Sequence, residues 1–268
     1  MNYLSVAAIF RMENSWFDEW IQYHRALGVE HFYLFNDDEN PRVSDRILRP
    51  YVEQGLVENI HIGDLNELSC VDRRWLQLEV YRFAFRRSMG KTRWLAIIDL
   101  DEFLLPKQRD DVRVLLADYE EHPALAVNWQ MFGTSGFIKR PPTQINHLLH
   151  RAEKDIWTNR YFKSIVSPDK VLWDKLYDVH HFPCWNGETV NENHDPVSGL
   201  QCDVNTRRIQ LNHYALRSVQ DFWEVKFQRT RFNHGVAADQ ELYEQYDRNE
   251  VFDDEISQRF GHVIDATP

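Results

Sequence analysis

The segment Trp94-Leu95-Ala96-Ile97-Ile98 runs without interruption into Asp99-Leu100-Asp101-Glu102. An apolar strand that ends in two carboxylates one residue apart is the feature of this chain that points most directly to chemistry. In extended backbone, side chains alternate with period two, so Asp99 and Asp101 project to one side while Leu100 turns into the core. Two carboxylates held together repel unless a cation compensates. Oxygen donors suit Mg²⁺ or Mn²⁺, which can be held by one or two carboxylates plus the phosphate oxygens of a substrate. Such an ion brings its own positive charge, and can stabilise a departing diphosphate without a basic protein around it. The competing reading is a pair of ordinary turn acids. Position favours the ligand site, because open α/β sheets bind at the carboxyl ends of their strands.

The charge balance fits that picture. The 268 residues include 31 Lys and Arg against 42 Asp and Glu, a net charge of -11. An acidic chain is a poor non-specific partner for nucleic acid, which is bound by releasing phosphate counterions with clustered Lys and Arg. With 43% hydrophobic and 27% charged residues the chain can bury a substantial core. Cys70, Cys184 and Cys202 are odd in number and far apart, which favours a reducing compartment and a cytoplasmic location. The start, MNYLSVAAIFRMEN, lacks a basic n-region and reads as a first strand. No run of 18 apolar residues predicts a membrane span, which leaves peripheral attachment to the inner face of a membrane open.

The elements that must position the acids alternate over the first hundred residues. Strands are expected at Leu4 to Phe10, His31 to Phe35, Leu56 to Ile62 and Trp94 to Ile98. Helices are expected from Ser15 (a cap) to Leu27 with Gly28 as a stop, from Ser44 to Glu53, and from Val71 to Ser88. Continuous apolar strands joined by helices predict right-handed βαβ units and a Rossmann-like, mostly parallel central sheet flanked by helices. The later half reads as a helix from Val112 to Tyr119, strands at Ala124 to Met131, Phe162 to Val166 and Leu176 to Phe182, and a polar loop over 186–204. Helical patterns at Val219 to Phe227 and Ala237 to Tyr246 close the chain. No linker or repeat is visible. We therefore expect one domain over 1–268, with a nucleotide-binding half at 1–106 and acceptor-side and closing elements at 107–268.

Individual residues add weight. Arg11, at a strand end, can hold a phosphate, or simply pair with Glu13. Asp38 can accept from a base N–H or a ribose hydroxyl, or serve a turn before Pro41. His213 can ligate a metal as a neutral imidazole, or be a buried structural histidine. His180 and His181 alternate faces in a strand, so one of them faces the cleft. Trp129 and Trp185 can stack on sugar rings or pack as core and loop anchors. No glycine-rich phosphate loop is present, which disfavours a dehydrogenase.

Four segments in order, RMENSWFDEWIQYHRALGVEHFYLFNDDE, KTRWLAIIDLDEFLLP, NWQMFGTSG and LNHYALRSVQDFWEVKFQR, resemble the family 2-like and family 92-like glycosyltransferases. The resemblance runs from Leu4 to about Phe252. It implies a GT-A-like α/β fold with an elaborated C-terminal half, and glycan biosynthesis by a hexosyltransferase with an inverting outcome. The donor it implies is a nucleoside-diphosphate sugar, UDP-linked, and the acceptor a glycan or lipid-linked glycan. On the same ground Asp99 and Asp101 match the metal- and diphosphate-binding D-x-D pair, with His213 as a further metal ligand. Asp37 or Asp38 would contact the nucleoside, and Arg11, Glu13 and Asn14 would border that pocket. Lys163 and the His180-His181 pair, of which His181 is taken for the site, fall near the donor, and the loop from Trp129 to Gly136 on the acceptor side. The NDDE string departs from the fuller acidic string of family 2 enzymes.

Transfer needs a base for the acceptor hydroxyl, and Glu153, Glu102 and Asp239 are candidates. Asp239, at an expected loop-to-helix start, is preferred, with Asp101 as its partner in catalysis. The rival readings are a metal-dependent nucleotidyltransferase or phosphatase, and a non-catalytic carbohydrate- or nucleotide-binding module.

Overall fold

The computed structural model describes residues 1–228 and 239–265. The first half holds β1 (Asn2–Phe10), α1 (Phe17–Ala26), β2 (His31–Asn36), α2 (Arg42–Glu53), β3 (Val57–His61), α3 (Leu76–Ser88), β4 (Thr92–Ile97) and β5 (Glu102–Pro106). Then come α4 (Val112–Leu116), β6 (Ala124–Met131), β7 (His150–Arg151), β8 (Phe162–Val166), β9 (Thr189–Val190), β10 (Ile209–His213), α5 (Val219–Glu224), α6 (Gln240–Tyr246), β11 (Val251–Phe252) and α7 (Glu255–Asp265).

The strand order of the main sheet is β3-β2-β1-β4-β8-β6-β10-β5, with β9 beside β6. The βαβ alternation of the first hundred residues gives parallel pairing across β3-β2-β1-β4. Each of these strands feeds both faces of the sheet. Leu4, Val6, Ala8 and Phe10 join one core with Trp20 and Ile21 of α1, while Ala7 joins another with Tyr81 and Phe85 of α3. Burial on both faces explains the unbroken apolar runs.

The sheet as a whole corrects the expected mostly parallel, Rossmann-like GT-A architecture. Strand β8 is antiparallel to both β4 and β6, and β5 is antiparallel to β10. The sheet is mixed, and it must also curl. Only residues 98–101 link β4 to β5, yet three strands stand between these two. Flat, that gap would be about 19 Å, four strand spacings of ~4.8 Å. The link folds into a turn, with Glu102 N–H donating to the Asp99 carbonyl at 3.0 Å, and turn ends lie within about 7 Å. The parallel signal ended at β4 because the later strands return without helical crossovers.

Three local expectations also shift. Helix α3 starts at Leu76, not Val71, because Asp72 takes the Arg74 N–H on its carboxylate and the Trp75 N–H on its carbonyl. Ser15 does not cap α1; its hydroxyl accepts from Arg140 Nη1 at 2.9 Å. Residues 176–182 form no strand, since Asp178 Oδ1 bends the chain by accepting the His180 N–H at 2.7 Å. Gly28 does end its helix, at φ +94°. The expected helix start at Ala237 and the loop residues around it, His234 to Ala238, lie outside the described residues.

Candidate functional site

Strands β1, β2, β4, β6 and β10 all run in one direction, and their carboxyl ends meet at a cleft of about 730 Å³. Asp99 and Asp101 both line it. They reach it through the turn between β4 and β5, not through strand alternation. Leu100 between them is fully buried in the core, and the Asp101 carbonyl is held by Tyr214 N–H at 2.8 Å. Glu102 faces inward: its Oε2 accepts the Asp99 N–H at 2.8 Å and closes the turn from the other side.

The compensating positive charge comes from two lysines. Lys163 Nζ, on β8, is 2.8 Å from Asp99 Oδ2. Lys226 Nζ, in a short 3₁₀ turn after α5, is 2.5 Å from Asp101 Oδ2. Asp99 Oδ1 also accepts from Gln77 Nε2 and Tyr81 Oη, both at 3.2 Å. Burial opposes ionisation of both aspartates, but Lys163 beside Asp99 and Lys226 beside Asp101 outweigh it, and both carboxyls stay below the ordinary range. Glu102 goes the other way: burial, with Asp99 and Asp101 close by, pushes its carboxyl far up. Among the described residues its Oε1 has no hydrogen-bond partner, so Glu102 serves the turn through Oε2 alone. Of these groups Lys226, Gln77 and Tyr81 were missed in the sequence, where nothing ties them to the acids across 18 to 125 residues.

At the β1 and β2 ends the cleft is strongly charged. Arg11 Nη1 lies 3.6 Å from Asp37 Oδ2 and its Nη2 2.6 Å from Glu39, and Arg73 also pairs with Asp37. Asp38 is turned to the backbone, accepting the Met12 N–H at 2.6 Å. Glu13 lines the cleft and is buried against Arg217 at 2.9 Å. Arg217 and Met12, the residue before Glu13, sit on unusual backbone, with φ +58° and +61°, a cost of order 1–3 kcal/mol each that marks functional regions. Asn14 is outside the lining.

At the β6 and β8 ends the cleft is aromatic. Trp129 packs its ring 4.3 Å from His213 and 5.3 Å from His180. His180 lines the cleft; His181 does not, and its ring nitrogen meets the Tyr177 hydroxyl. Burial lowers His213 to about 3 and, with Lys163 nearby, His180 to about 4, so both are neutral at pH 7. Trp185 is a loop anchor, donating to the Asp169 carbonyl. Asp239 caps α6, accepting the Leu242 N–H at 2.9 Å, and with Glu153 it stands outside the lining. Asp178 is instead a carboxylate within it.

A profile of glycosyltransferase family 92 matches residues 3–249. The chain belongs to glycosyltransferase family 92. Relatives carrying that family name include a Ricinus communis protein, 24% identical over 234 residues, covering 80% of this chain and 35% of the relative. One from Oryza sativa subsp. japonica is 24% identical over 247 residues (88% and 36%), and one from Arabidopsis thaliana 22% over 228 residues (79% and 34%). The chain thus spans about a third of the length of these family 92 relatives. Distant likenesses among solved structures include HddC from Yersinia pseudotuberculosis, at 9% identity and TM-score 0.41, covering 83% of this chain and 97% of that one. The bifunctional glycosyltransferase WbbM gives 10% and 0.34, covering 62% and 32%.

Among the described residues of this family 92 chain, no three His, Cys, Asp or Glu side chains are grouped to hold a metal ion by themselves. Of the three residues expected to hold one, Asp101 and His213 face each other. Neutral His213 faces Asp101 with Nε2 3.7 Å from Oδ1, too long for a hydrogen bond but within the span of two ligands on one ion. Asp99 has both oxygens engaged by protein donors. Protein ligands this few suit Mg²⁺ or Mn²⁺ only if substrate phosphate completes the shell. No helix of the described residues is long and apolar enough to cross a membrane.

Proposed function

We propose that this family 92 chain transfers a hexose from a UDP-linked donor to an acceptor hydroxyl with inversion at the anomeric carbon. The observation that carries the reading is the pairing of Asp101 with Lys226 at the cleft floor, with His213 facing it, between the arginine end and the aromatic end. The nucleoside takes the side of Asp37, Arg11 and Arg73, which places the diphosphate over the two lysines. A divalent ion, held by Asp101 and His213 with phosphate oxygens, would supply Lewis-acid stabilisation of the leaving diphosphate.

The protein's own groups do the rest. Lys163 and Lys226 face charge that grows on the diphosphate as the anomeric C–O bond breaks with its electron pair. The acceptor oxygen forms the new bond to that carbon, and its proton passes to a carboxylate on the aromatic side. Asp178 is the lining acid placed there, two residues from His180, whose ring touches Trp129. With peripheral attachment to a membrane, the acceptor could be lipid-linked.

The test is release of UDP from UDP-galactose, UDP-glucose and UDP-N-acetylhexosamines, with and without Mn²⁺, by the wild type, Asp101→Asn and Lys226→Gln. We expect metal-stimulated turnover that Asp101→Asn abolishes. Lys226→Gln should lower kcat about 10²- to 10³-fold, as for loss of one transition-state donor. Full activity in Asp101→Asn would overturn the assignment, and release of pyrophosphate would make the chain a nucleotidyltransferase.

A further inference from the structure

The aromatic end of the cleft extends beyond Trp129. Tyr161, immediately before β8, places its ring 5.6 Å from Trp129, and Trp157, in the short 3₁₀ turn ahead of it, meets Tyr161 edge-on at 5.9 Å. Trp129 in turn contacts His213, which faces Asp101. A continuous file of rings therefore runs from the cleft rim to the acidic turn. Its members differ sharply in exposure: Trp129 is 8% exposed and Trp157 54%, although both line the cleft. Trp157 thus leaves a large indole face open at the cleft mouth.

The topology decides which ligand. Strand β4 carries the acidic turn; β1 and β2, with Arg11 and Asp37, lie to one side, and β8 and β6, with Tyr161 and Trp129, to the other. Donor and acceptor must approach the anomeric carbon from opposite sides, so the ring file belongs to the acceptor. An acyl chain would need an unbroken apolar wall. Here Asp178, His180 and Lys163 interrupt the rings. A pyranose, with an apolar C–H face and a hydroxyl rim, matches such an alternation of aromatic and polar groups.

We infer that Trp157 and Tyr161 form a saccharide subsite that stacks a sugar ring of a glycan acceptor one step beyond the transfer centre. The inference rests on the transferase reading above, and the experiment separates the two. Tryptophan emission is titrated with lactose, N,N′-diacetylchitobiose and cellotetraose in the wild type, Trp157→Ala and Trp157→Phe, and UDP binding and donor hydrolysis are followed in parallel. At least one saccharide should give a saturable response in the wild type. Its affinity should fall about tenfold in Trp157→Ala, the size of one stacking contact, and recover largely in Trp157→Phe, with UDP binding and donor hydrolysis unchanged.

No response to any saccharide in the wild type, or equal affinity in Trp157→Ala, would overturn the subsite. So would weaker UDP binding in that variant, which would make the rings a nucleobase platform. A response to dodecylphosphocholine micelles that Trp157→Ala removes, without any saccharide response, would assign the rings to lipid. Saccharide binding lost in Trp157→Ala by a protein that neither binds UDP nor hydrolyses a UDP-hexose would keep the subsite and sink the transferase reading.

Discussion

Lys163 extends its ammonium 2.8 Å from Asp99 Oδ2 and 3.8 Å from Glu102 Oε2, with only 2% of its side chain exposed. Burial alone would lower its pKa, yet the two acids raise it well above the ordinary lysine value. The lysine therefore stays charged where few lysines could, and it holds the acidic turn together.

Removing this charge should cost more than the contact is worth. Lys163→Met leaves the part-exposed Asp99 carboxylate without its counterion, so we expect about 1–3 kcal/mol of stability to be lost. The double variant Lys163→Met/Asp99→Asn should regain part of that. Urea unfolding of the two variants checks it; a loss under ~1 kcal/mol in the single variant would show that water reaches the turn freely.

Glu19 predicts a pH dependence. Its carboxylate accepts the Gln144 and Ile145 N–H groups at 2.7 and 2.9 Å from within α1. Burial dominates over those bonds and raises the group from 4.5 to about 7. The folded state then binds a proton that the unfolded chain has released. This contribution is full below pH 4.5 and fades as pH rises through about 7, a loss of roughly 3 kcal/mol. Glu19→Gln should flatten that part of the curve. Unfolding midpoints at pH 5, 6 and 7.5 for both proteins measure it, and parallel profiles would refute the buried neutral acid. Gln144 Oε1 accepts from Arg217, which holds Glu13 in the cleft, so transfer rates should be followed over the same range.

For the proposed transfer two acids are candidates to take the acceptor's proton. Asp178 lines the cleft, with one oxygen on the His180 N–H, whereas Asp239 caps a helix outside the lining. Asp178→Asn should reduce kcat about 10²- to 10⁴-fold with little change in the donor KM. Asp239→Asn, which can still cap, should cost only tenths of a kcal/mol in stability and leave the rate intact. Initial rates with saturating donor decide between them; the opposite ranking would return the base to Asp239.

These assignments show where the sequence speaks and where it stops. The parallel strands β1 to β4 were legible because helices α1, α2 and α3, each with its own period, separate them. Helix α7 has a periodic apolar face, with Ile256 buried and Phe260 packed on Tyr23, but Gly261 hides it. That glycine lets the helix approach Asn146, whose Oδ1 would stand 2.4 Å from an added Cβ. Within the site, Asp99 and Asp101 announce themselves because they break an apolar run. Trp157 and Lys226 do not, since an exposed tryptophan and a single lysine carry meaning only once the sheet brings them to the acids. His181 shows the same limit: alternation in a strand allowed either histidine, and a bend at Asp178 chose His180.

The short link between β4 and β5 bears on how the molecule comes into being. Its acids leave the ribosome early, but their lysines follow 64 and 125 residues later, and the strand that seals β5 against β6 is β10. A nascent or truncated chain ending before Ile209 would present raw strand edges and uncompensated acids together, inviting self-association. The acidic turn is consequently among the last parts of the molecule to be completed, and fragments cut between the two halves should precipitate.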